Sequence, residues 1–306
     1  MSNTNTNTHD TRTDTLRRAY NQYLRRGIQA SELNDVSMDG MGYLLPQRLE
    51  AKLVNAMNTV SVLRPLCTEV ATSGDSALPI VNSHGKAAWV PEGHPIPQVR
   101  DAFDRVNLNS HKLVAIIRVT SELLKDSAVD IEAYLAATFA DRMAVGEEEA
   151  FIAGDGANKP LGLIHQAKVG CETQTAGAVS VEDVLNLIFS VPEKHRRNGT
   201  LLMNDTTLLQ LYKQCAAQGT NLWLGKDDTF FGYRIVRCAS MPDAAPGSTP
   251  VLFGDFKQVY INNNGDRSIK RLDQLFIAND HIGFQMMERV GIKLTVPDAI
   301  KSLKVA

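Results

Sequence analysis

The sequence predicts an α+β fold, in which helices and mixed strands follow one another without regular alternation. The strongest helical signal lies in residues 121–154, where apolar side chains recur every four positions. Short runs that suit strands precede it at 70–120 and follow it at 231–263. Neither βαβ alternation nor an internal repeat is seen along the chain, so the pattern favours neither a parallel α/β fold nor a repeat array.

Composition and charge narrow the class of protein. The 306 residues suffice for one large core or two modest ones, and 43% hydrophobic and 22% charged residues are ordinary for a soluble globular protein. A formal net charge of −2 gives no general attraction to nucleic acid or to an acidic membrane. No stretch approaches the roughly 20 apolar residues of a membrane span, and we expect neither a secretory signal nor a membrane partner. The cysteines form no CxxC pair, which predicts reduced core thiols in a cytosolic product: Cys67, Cys171, Cys215 and Cys238.

The amino-terminal region combines a polar tract with a basic segment. Residues 1–13 are rich in Thr and Asn, which predicts a mobile arm, and a short helix is predicted from Asp14 to about Leu33, ending at Gly27. Residues 1–30 hold five arginines against two aspartates, a local excess of +3: Arg12, Arg17, Arg18, Arg25 and Arg26. Such an excess indicates either a solvated face or contact with a polyanion such as nucleic acid.

The next segment leads from a loop into a helix and then into a ribbon. A helix is predicted to begin near Pro46, with Leu49, Leu53 and Met57 on one face. Alternating runs at 70–82, 86–93 and 106–120 indicate strands, and they flank the proline-bearing, charged stretch 94–104.

We interpret residues 78–105 as a two-stranded ribbon with a long tip. Such a ribbon is marginal in water unless it rests on something else. It therefore packs either on its own domain or on a neighbouring subunit, and the residues alone leave both alternatives open.

Residues 121–154 predict one long helix with a narrow apolar face. Ser127 followed by Asp130 resembles a capping box. The apolar stripe, with Tyr134 beside it, consists of Ile131, Leu135, Phe139 and Met143. The 24 residues 130–153 would span about 36 Å.

The glycine-rich turn that follows, GDGANKP, raises the question of a phosphate-binding loop. Such a loop needs a strand before its glycines and a helix after them. Here the helix comes first and no GK[ST] follows, so Gly154 and Gly156 are predicted to stop the helix.

The rest of the chain alternates helices with buried strands. A helix is predicted at 180–191 behind an S-x-x-D cap, a strand at 200–204 and a helix at 205–219. Further strands are predicted at 231–242 and 250–263, and the last forty residues are rich in strands.

No arrangement of residues in the sequence indicates catalysis or a cofactor. The seven histidines form no metal-binding spacing and no G-x-S-x-G elbow occurs, so we predict no metal, no cofactor and no catalytic residue. Glu147, Glu148 and Glu149 are consecutive, so within one helix they point in different directions, and we expect them on a solvated face. A hydrolase that uses an acid such as Glu122 or Glu147 is therefore the least favoured alternative.

The order of several motifs resembles the major capsid proteins of tailed bacteriophages with the Hong Kong 97-type fold. The resemblance covers about residues 41–306 and is most specific where SELLKDS opens the long helix and GDGANKPLG closes it. The remaining matching stretches are MGYLLP (41–46), AAWVPEGHPIP (87–97), LFGDFKQVYI (252–261) and ERVGIKLTVPDAIKSLK (288–304).

The resemblance implies a division of the chain. An amino-terminal arm (1–40) precedes the start of the peripheral domain (41–77) and an extended loop, the E-loop (78–105). The peripheral domain continues with its spine helix at 121–153 (106–177), the axial domain follows (178–248), and the chain returns to the peripheral domain (249–306). In this arrangement the E-loop lies over a neighbouring subunit and the arm faces the genome.

The resemblance also implies a non-enzymatic function. Hexamers and pentamers of this chain would form an icosahedral shell around double-stranded DNA, as part of a virion assembled in the host cytoplasm. The five arginines named above would face the genome, and contacts between subunits would come from E-loop residues: His84, Lys86, Trp89, Glu92, His94 and Arg100. Only forty residues precede MGYLLP, so either scaffolding would come from a separate protein or this form needs none; a portal and a decoration protein would be further partners. The alternative is an encapsulin-like shell that packages protein cargo, and the basic arm favours nucleic acid over that alternative.

Overall fold

The computed structural model confirms the α+β class. It describes residues 5–31, 33, 37–38, 42–74, 76–83, 90, 102–125, 130–217 and 229–306. The helices in these ranges are α1 (Asn5–Arg26), α2 (Gln47–Val60), α3 (Ser121–Lys125), α4 (Ile131–Ala153), α5 (Leu163–Gln166), α6 (Val181–Ser190), α7 (Glu193–Arg196) and α8 (Asp205–Ala217). The first strands are β1 (Ser37–Met38), β2 (Gly42–Leu44), β3 (Thr68–Thr72), β4 (Ser76–Ser83), β5 (Ala102–Leu108), β6 (His111–Thr120), β7 (Lys168–Glu172) and β8 (Thr200–Met203). The later strands are β9 (Thr229–Phe230), β10 (Tyr233–Arg237), β11 (Val251–Gly254), β12 (Val259–Asn264), β13 (Ser268–Leu272), β14 (His281–Leu294) and β15 (Ile300–Lys304).

One large sheet is organised around β14. Its strand order is β1-β2-β13-β14-β12-β3, and β6 also pairs with β14. The 14-residue β14 pairs antiparallel with three strands: residues 283–287 with β13, 290–294 with β12 and 281–290 with β6. Most of its side chains are buried, as expected for the central strand of a sheet.

The second sheet has the order β7-β15-β11-β8-β10-β9. Its strands come from distant parts of the chain, since β15 from the carboxyl end lies between β7 and β11. Helices α6 and α8 contribute to a core that also contains Leu201, Phe230, Val251 and Leu303. The predicted S-x-x-D cap is confirmed, because Ser180 and Asp183 form a capping box at the start of α6.

Helix α4 supplies the core under the first sheet. The predicted stripe is confirmed, as Ile131, Leu135, Phe139 and Met143 are all buried. Helix α2, which starts directly after Pro46 as predicted, packs its apolar face into the same core.

Helix α4 confirms the helix predicted over 130–153, whereas the extension of one continuous helix back to residue 121 is wrong. The structure has two helices, α3 and α4, and the segment 126–129, with Ser127, lies outside the described residues. Asp130 is itself the N-cap of α4, because its carboxylate accepts hydrogen bonds from the backbone N–H groups of Glu132 and Ala133.

Two further boundary predictions are corrected. Helix α1 begins at Asn5, so most of the Thr/Asn-rich tract predicted as a mobile arm is helical, whereas its predicted end at Gly27 is confirmed. The predicted strand 250–263 is two strands in different sheets, because Asp255 caps a 3₁₀ turn at Phe256–Gln258 between β11 and β12.

The predicted two-stranded ribbon is confirmed at its base. Strands β4 and β5 pair antiparallel from Ser76–Leu108 to Ser83–Ala102 and form a separate sheet. The strand predicted at 86–93 and the rest of the tip, except Val90, lie outside the described residues.

Candidate functional site

Three side chains of the ribbon base whose burial is described are open to solvent. Pro79, Arg105 and Asn107 are exposed, and Leu78 beside them is half-buried. Leu108, at the end of β5, is buried and anchors the ribbon to the body. A two-stranded ribbon needs a further surface to be stable in water.

The six predicted contact residues of the ribbon tip lie outside the described residues: His84, Lys86, Trp89, Glu92, His94 and Arg100.

The basic helix α1 packs on the body of its own chain. Its buried side chains Tyr20, Tyr23 and Leu24 join the core beneath α4. Its carboxyl end is held by Arg271, whose Nη1 donates to the carbonyl of Leu24 at 2.7 Å, while the hydroxyl of Tyr23 accepts from the Arg271 backbone N–H at 2.9 Å. Cations near the last carbonyls of a helix stabilise it.

Two of the five predicted genome-facing arginines are engaged within the chain. The Nε atom of Arg17 lies 3.4 Å from the buried carboxylate of Glu132, to which Asn21 also donates at 3.1 Å. Arg25 donates to Asn21 and, through Nη1, to the carbonyl of Leu124.

Two further arginines of α1 face the solvent. Arg18 and Arg26 are exposed, and the side chain of Arg12 lies outside the described part of the chain. Arg18 and Arg26 are therefore the described arginines of this helix that present a solvent-facing charge.

The glycine turn is confirmed as a helix stop. The backbone N–H of Gly154 donates to the carbonyl of Ala150 and caps α4. Gly156 has the left-handed φ of +78° that was predicted, whereas Gly154 has a φ of −61°. Gly154 is required for a different reason, since a Cβ atom there would lie 1.9 Å from the carbonyl oxygen of Pro160.

A buried ionic cluster lies at the carboxyl half of α4. Arg64 donates to both carboxylate oxygens of Glu147, from Nε at 2.8 Å and from Nη2 at 2.6 Å, and neither side chain is exposed. Nη1 of Arg64 reaches Glu69 at 3.1 Å. The expectation that Glu147 and Glu148 lie on a solvated face is thus wrong, whereas Glu149 is exposed as predicted.

A second arginine extends the cluster through the first sheet. Nε of Arg267 donates to the buried carboxylate of Glu288 at 2.7 Å, and its Nη1 lies 3.5 Å from Glu50. Glu288 is close enough to Glu147 for the two carboxyl groups to interact.

The charges of the cluster change the pKa values of its members. Burial and the negative charge of Glu288 raise the pKa of the Glu147 carboxyl to about 8, against the opposing effect of Arg64. Burial alone would lower the pKa of Arg64, but the hydrogen bond and charge of Glu147 raise it above its ordinary value.

Glu148 is held by a different set of groups. It accepts from the backbone N–H of Val62 at 3.1 Å and from the thiol of Cys238 at 2.9 Å. Burial and the neighbouring carboxylate raise the pKa of Cys238 to about 12, so the thiol stays protonated and unreactive at neutral pH.

The cluster ties three regions together and is closed to substrates. It links α4 with the segment after α2 and with β14, which are far apart in sequence. The side chains of Arg64 and Glu147 have no exposed surface, so no substrate can reach them.

The described ranges contain no group of three or more His, Cys, Asp and Glu side chains that could hold a metal ion. Within the same ranges, each helix is too short or too polar for a membrane span.

Two features of the sequence indicate this buried cluster, namely the spacing of Glu147 and the neighbours of Arg64. The four-residue spacing that gave Ile131 to Met143 continues to Glu147 and then Phe151, both of which are buried. Arg64 lies between apolar residues in VLRPL, an unusual setting for an exposed arginine.

Comparison with known proteins gives one consistent result. A model of the phage capsid family matches residues 41–305. The major capsid protein of Escherichia phage T5 is 27% identical over 168 residues, which make up 51% of this chain and 36% of that protein. The match therefore spans just over a third of the length of that relative.

Solved structures show the same similarity. The capsid of an empty GTA particle is 28% identical, with a TM-score of 0.71, covering 81% of this chain and 90% of that one. The holo-SrpI encapsulin complex from Synechococcus elongatus PCC 7942 is 14% identical, with a TM-score of 0.57, covering 81% and 88%. At that identity the encapsulin shares the fold alone.

Proposed function

This chain belongs to the phage capsid family, and we propose that it is the major capsid protein of a tailed-phage head, a structural subunit without enzymatic activity. The family match over residues 41–305 is the observation that carries the proposal. It confirms the resemblance of the sequence motifs, and the structural likenesses confirm the Hong Kong 97-type fold.

We further propose that hexamers and pentamers of this subunit close into an icosahedral shell. Heterologous contacts that close on themselves give a particle of finite size. The exposed side chains of Pro79, Arg105 and Asn107 in the ribbon base support such contacts, since a two-stranded ribbon gains stability from a surface that covers it. We assign residues 78–105 to the E-loop that lies over an adjacent subunit.

We propose the domain division that the resemblance implies. The arm is 1–40, the peripheral domain comprises 41–77, 106–177 and 249–306, and the axial domain is 178–248. A separate core that includes α6, α8 and β8 supports the axial domain. Its sheet continues into β7, β11 and β15, so the two domains share strands and the boundary lies within a sheet.

The shell is proposed to enclose double-stranded DNA. Arg18 and Arg26 are the described arm arginines suited to this contact, because they are exposed and each cation near a phosphate releases counterions. Arg17 and Arg25 hold the helix to the body instead. A separate scaffolding protein, a portal and a decoration protein are proposed as partners, with assembly in the host cytoplasm.

Electron microscopy of the chain expressed alone tests the central proposal. We expect closed shells or rings of subunits. A monodisperse monomer at high protein concentration would contradict it. Shells that copurify with a protein cargo and exclude DNA in a packaging host would instead support a compartment shell like the encapsulin.

A further inference from the structure

We propose that a basic patch beside helices α6 and α7 binds the phosphate backbone of double-stranded DNA. The patch consists of one phenylalanine and five cations: Lys168, Phe189, Lys194, Arg196, Arg197 and Lys301. The inference rests on the proposed enclosure of DNA and adds a second contact surface to that of the arm.

The centre of the patch is the ring of Phe189, near the carboxyl end of α6. Phe189 is 69% exposed, although phenylalanine is among the residues most often buried. The guanidinium of Arg196 lies over the ring, with Cζ 4.7 Å from the ring centroid. This stacking occupies one face of the guanidinium and leaves the N–H donors in its plane to a further partner.

Two strands bring further cations to the same surface. Gly170 of β7 lies against the end of α6 and against β15, because a Cβ atom there would clash with Ser190 Oγ and lie 2.9 Å from the Cβ of Lys301. Lys168 and Lys301 both donate to the Asp298 carboxylate, at 3.0 and 3.2 Å. Two cations therefore share one carboxylate, and one positive charge remains uncompensated.

The buried His195 connects this pair of lysines with α7. Burial and the positive charge of Lys194 lower the pKa of His195. The negative charges of Asp255 and Asp298 oppose this effect. Since Lys194 and Asp298 both act on one imidazole, the cations of α7 and the two lysines form one surface. The imidazole itself is neutral near pH 7 and adds no charge.

Positive charge exceeds negative charge on this surface. Five cations face three carboxylates, a difference of +2, and the carboxylates are Glu193, Asp298 and the buried Asp255. The ion pair between Arg197 and Glu193, at 2.9 Å, is exposed on both sides and is therefore weak. Among the described residues, Lys194 and Arg196 have no carboxylate partner, so their charges are open to an external anion.

The composition of the patch selects nucleic acid over a protein partner. Protein–protein interfaces have an apolar centre that is depleted in charge, whereas protein–DNA interfaces are more polar and much more positive. Helices α6 and α7 expose one large hydrophobic side chain, Phe189, and a guanidinium covers one of its faces. A guanidinium whose plane is held by a ring can donate to two phosphate oxygens in parallel.

Binding of a DNA duplex of about 20 base pairs to unassembled full-length subunits tests the patch. Fluorescence anisotropy is measured from about 50 mM salt upward, in a parent chain that carries Arg18→Gln and Arg26→Gln so that these arm charges are absent. We expect Lys194→Gln with Arg196→Gln to weaken binding about tenfold or more, and to lower the slope of log K against log salt by about 2. A parent chain that does not bind the duplex at the lowest salt would overturn the inference.

The matched control removes two exposed cations outside the patch, by Lys213→Gln on α8 with Arg234→Gln on β10. Both double variants lose two positive charges, so the change in net charge is the same. We expect the control to weaken binding less than about threefold, because general attraction depends weakly on single distant charges. Equal losses in the two double variants would overturn the inference.

A pair of charge-conserving variants tests the stacked guanidinium. Arg196→Lys keeps the charge and loses the planar fork, so we expect binding to weaken about threefold or more. Arg197→Lys changes the next residue, whose exposed side chain pairs with Glu193, and should alter binding less than about 1.5-fold. Equal effects of these two changes would contradict the role of the stacked arginine.

The results distinguish this inference from the proposed function. If the unaltered chain forms no shells in electron microscopy, the assembly proposal itself is wrong. If shells form and the patch variant binds DNA as tightly as the control, only the patch assignment is wrong. Melting curves report the folding of each variant, and should the double change prevent folding, Lys194→Gln alone gives the same decision, because that side chain is exposed.

Discussion

Arg64 and Glu147 form a bidentate ion pair in which both side chains are fully buried, with N–O distances of 2.8 and 2.6 Å. The pair joins the turn after α2 to the last third of α4, although the two residues are 83 positions apart. A buried guanidinium cannot lose its charge, so its stability depends on the carboxylate that faces it.

Replacing the carboxyl group of Glu147 by an amide should therefore destabilise the subunit. We expect Glu147→Gln to lower the free energy of unfolding by about 1–3 kcal/mol, because an NH₂ group would replace one of the two oxygens that accept from Arg64 and would leave a buried donor of Arg64 unpaired. Urea unfolding of unassembled subunits measures the change. Glu149→Gln, on the exposed face of the same helix, is the control and should change it by less than about 0.5 kcal/mol. Similar losses for the two variants would refute the role of the pair.

The stability of the subunit should fall as pH rises from weakly acidic to weakly alkaline values. The folded pKa of Glu147 is about 8, above the roughly 4.3 of an unfolded glutamate, so the folded state binds more protons between these limits. The contribution of Glu147 to the free energy of unfolding is complete below the pKa of the unfolded glutamate and is lost as pH rises through the folded pKa of about 8. The expected loss is on the order of 1–3 kcal/mol.

Glu288→Gln should flatten this pH dependence. The change removes the negative charge that, with burial, raises the pKa of Glu147. Urea midpoints measured between pH 6 and pH 9 give the slope for each variant. A slope equal to that of the unaltered chain would show that the two acids are not coupled, and Glu149→Gln should leave the slope as it is.

The arm arginines should fall into two pairs, one that stabilises the subunit and one that binds DNA. Arg17→Gln with Arg25→Gln should lower subunit stability by about 0.5–2 kcal/mol, because these side chains bond to Glu132 and to the Leu124 carbonyl. Arg18→Gln with Arg26→Gln should leave stability unchanged and reduce DNA content or its retention at raised salt. Melting curves and the nucleic-acid content of purified particles measure the two effects. An exchange of the two phenotypes would contradict the assignment.

Shortening the ribbon should uncouple folding from assembly. We expect deletion of residues 84–100 to give a soluble subunit with an unchanged core, because β4 and β5 form a sheet of their own and the buried Leu108, which anchors that sheet in the body, lies outside the deletion. Size-exclusion chromatography and electron microscopy should then show no closed shells. Normal shells from this variant would remove the ribbon from the assembly contacts.

Local pattern predicted much of the architecture because burial repeats with the period of each element. The stripe on α4, the cap at Ser180 and the helix start after Pro46 all depend on neighbours within four residues. The same rule would have placed Glu147 in the core, had its position been given more weight than its charge.

Other features depend on contacts that no local pattern contains. Arg64 and Glu147 meet across 83 positions, and Arg267 belongs to a third segment. The start of α1 at Asn5 contradicts the low helix propensity of Thr and Asn, and the run 250–263 is broken by the cap at Asp255. Tertiary packing and side-chain capping decide such positions.

The place of the last strands in both sheets has a consequence for synthesis. β14 pairs with three other strands of the first sheet, and β15 lies inside the second, so neither sheet can close before residues 281–304 have been synthesised. Long-range pairing of this kind makes folding slow. A polypeptide that stops before residue 281 would lack the strands that complete both sheets, and we expect it to be degraded rather than assembled.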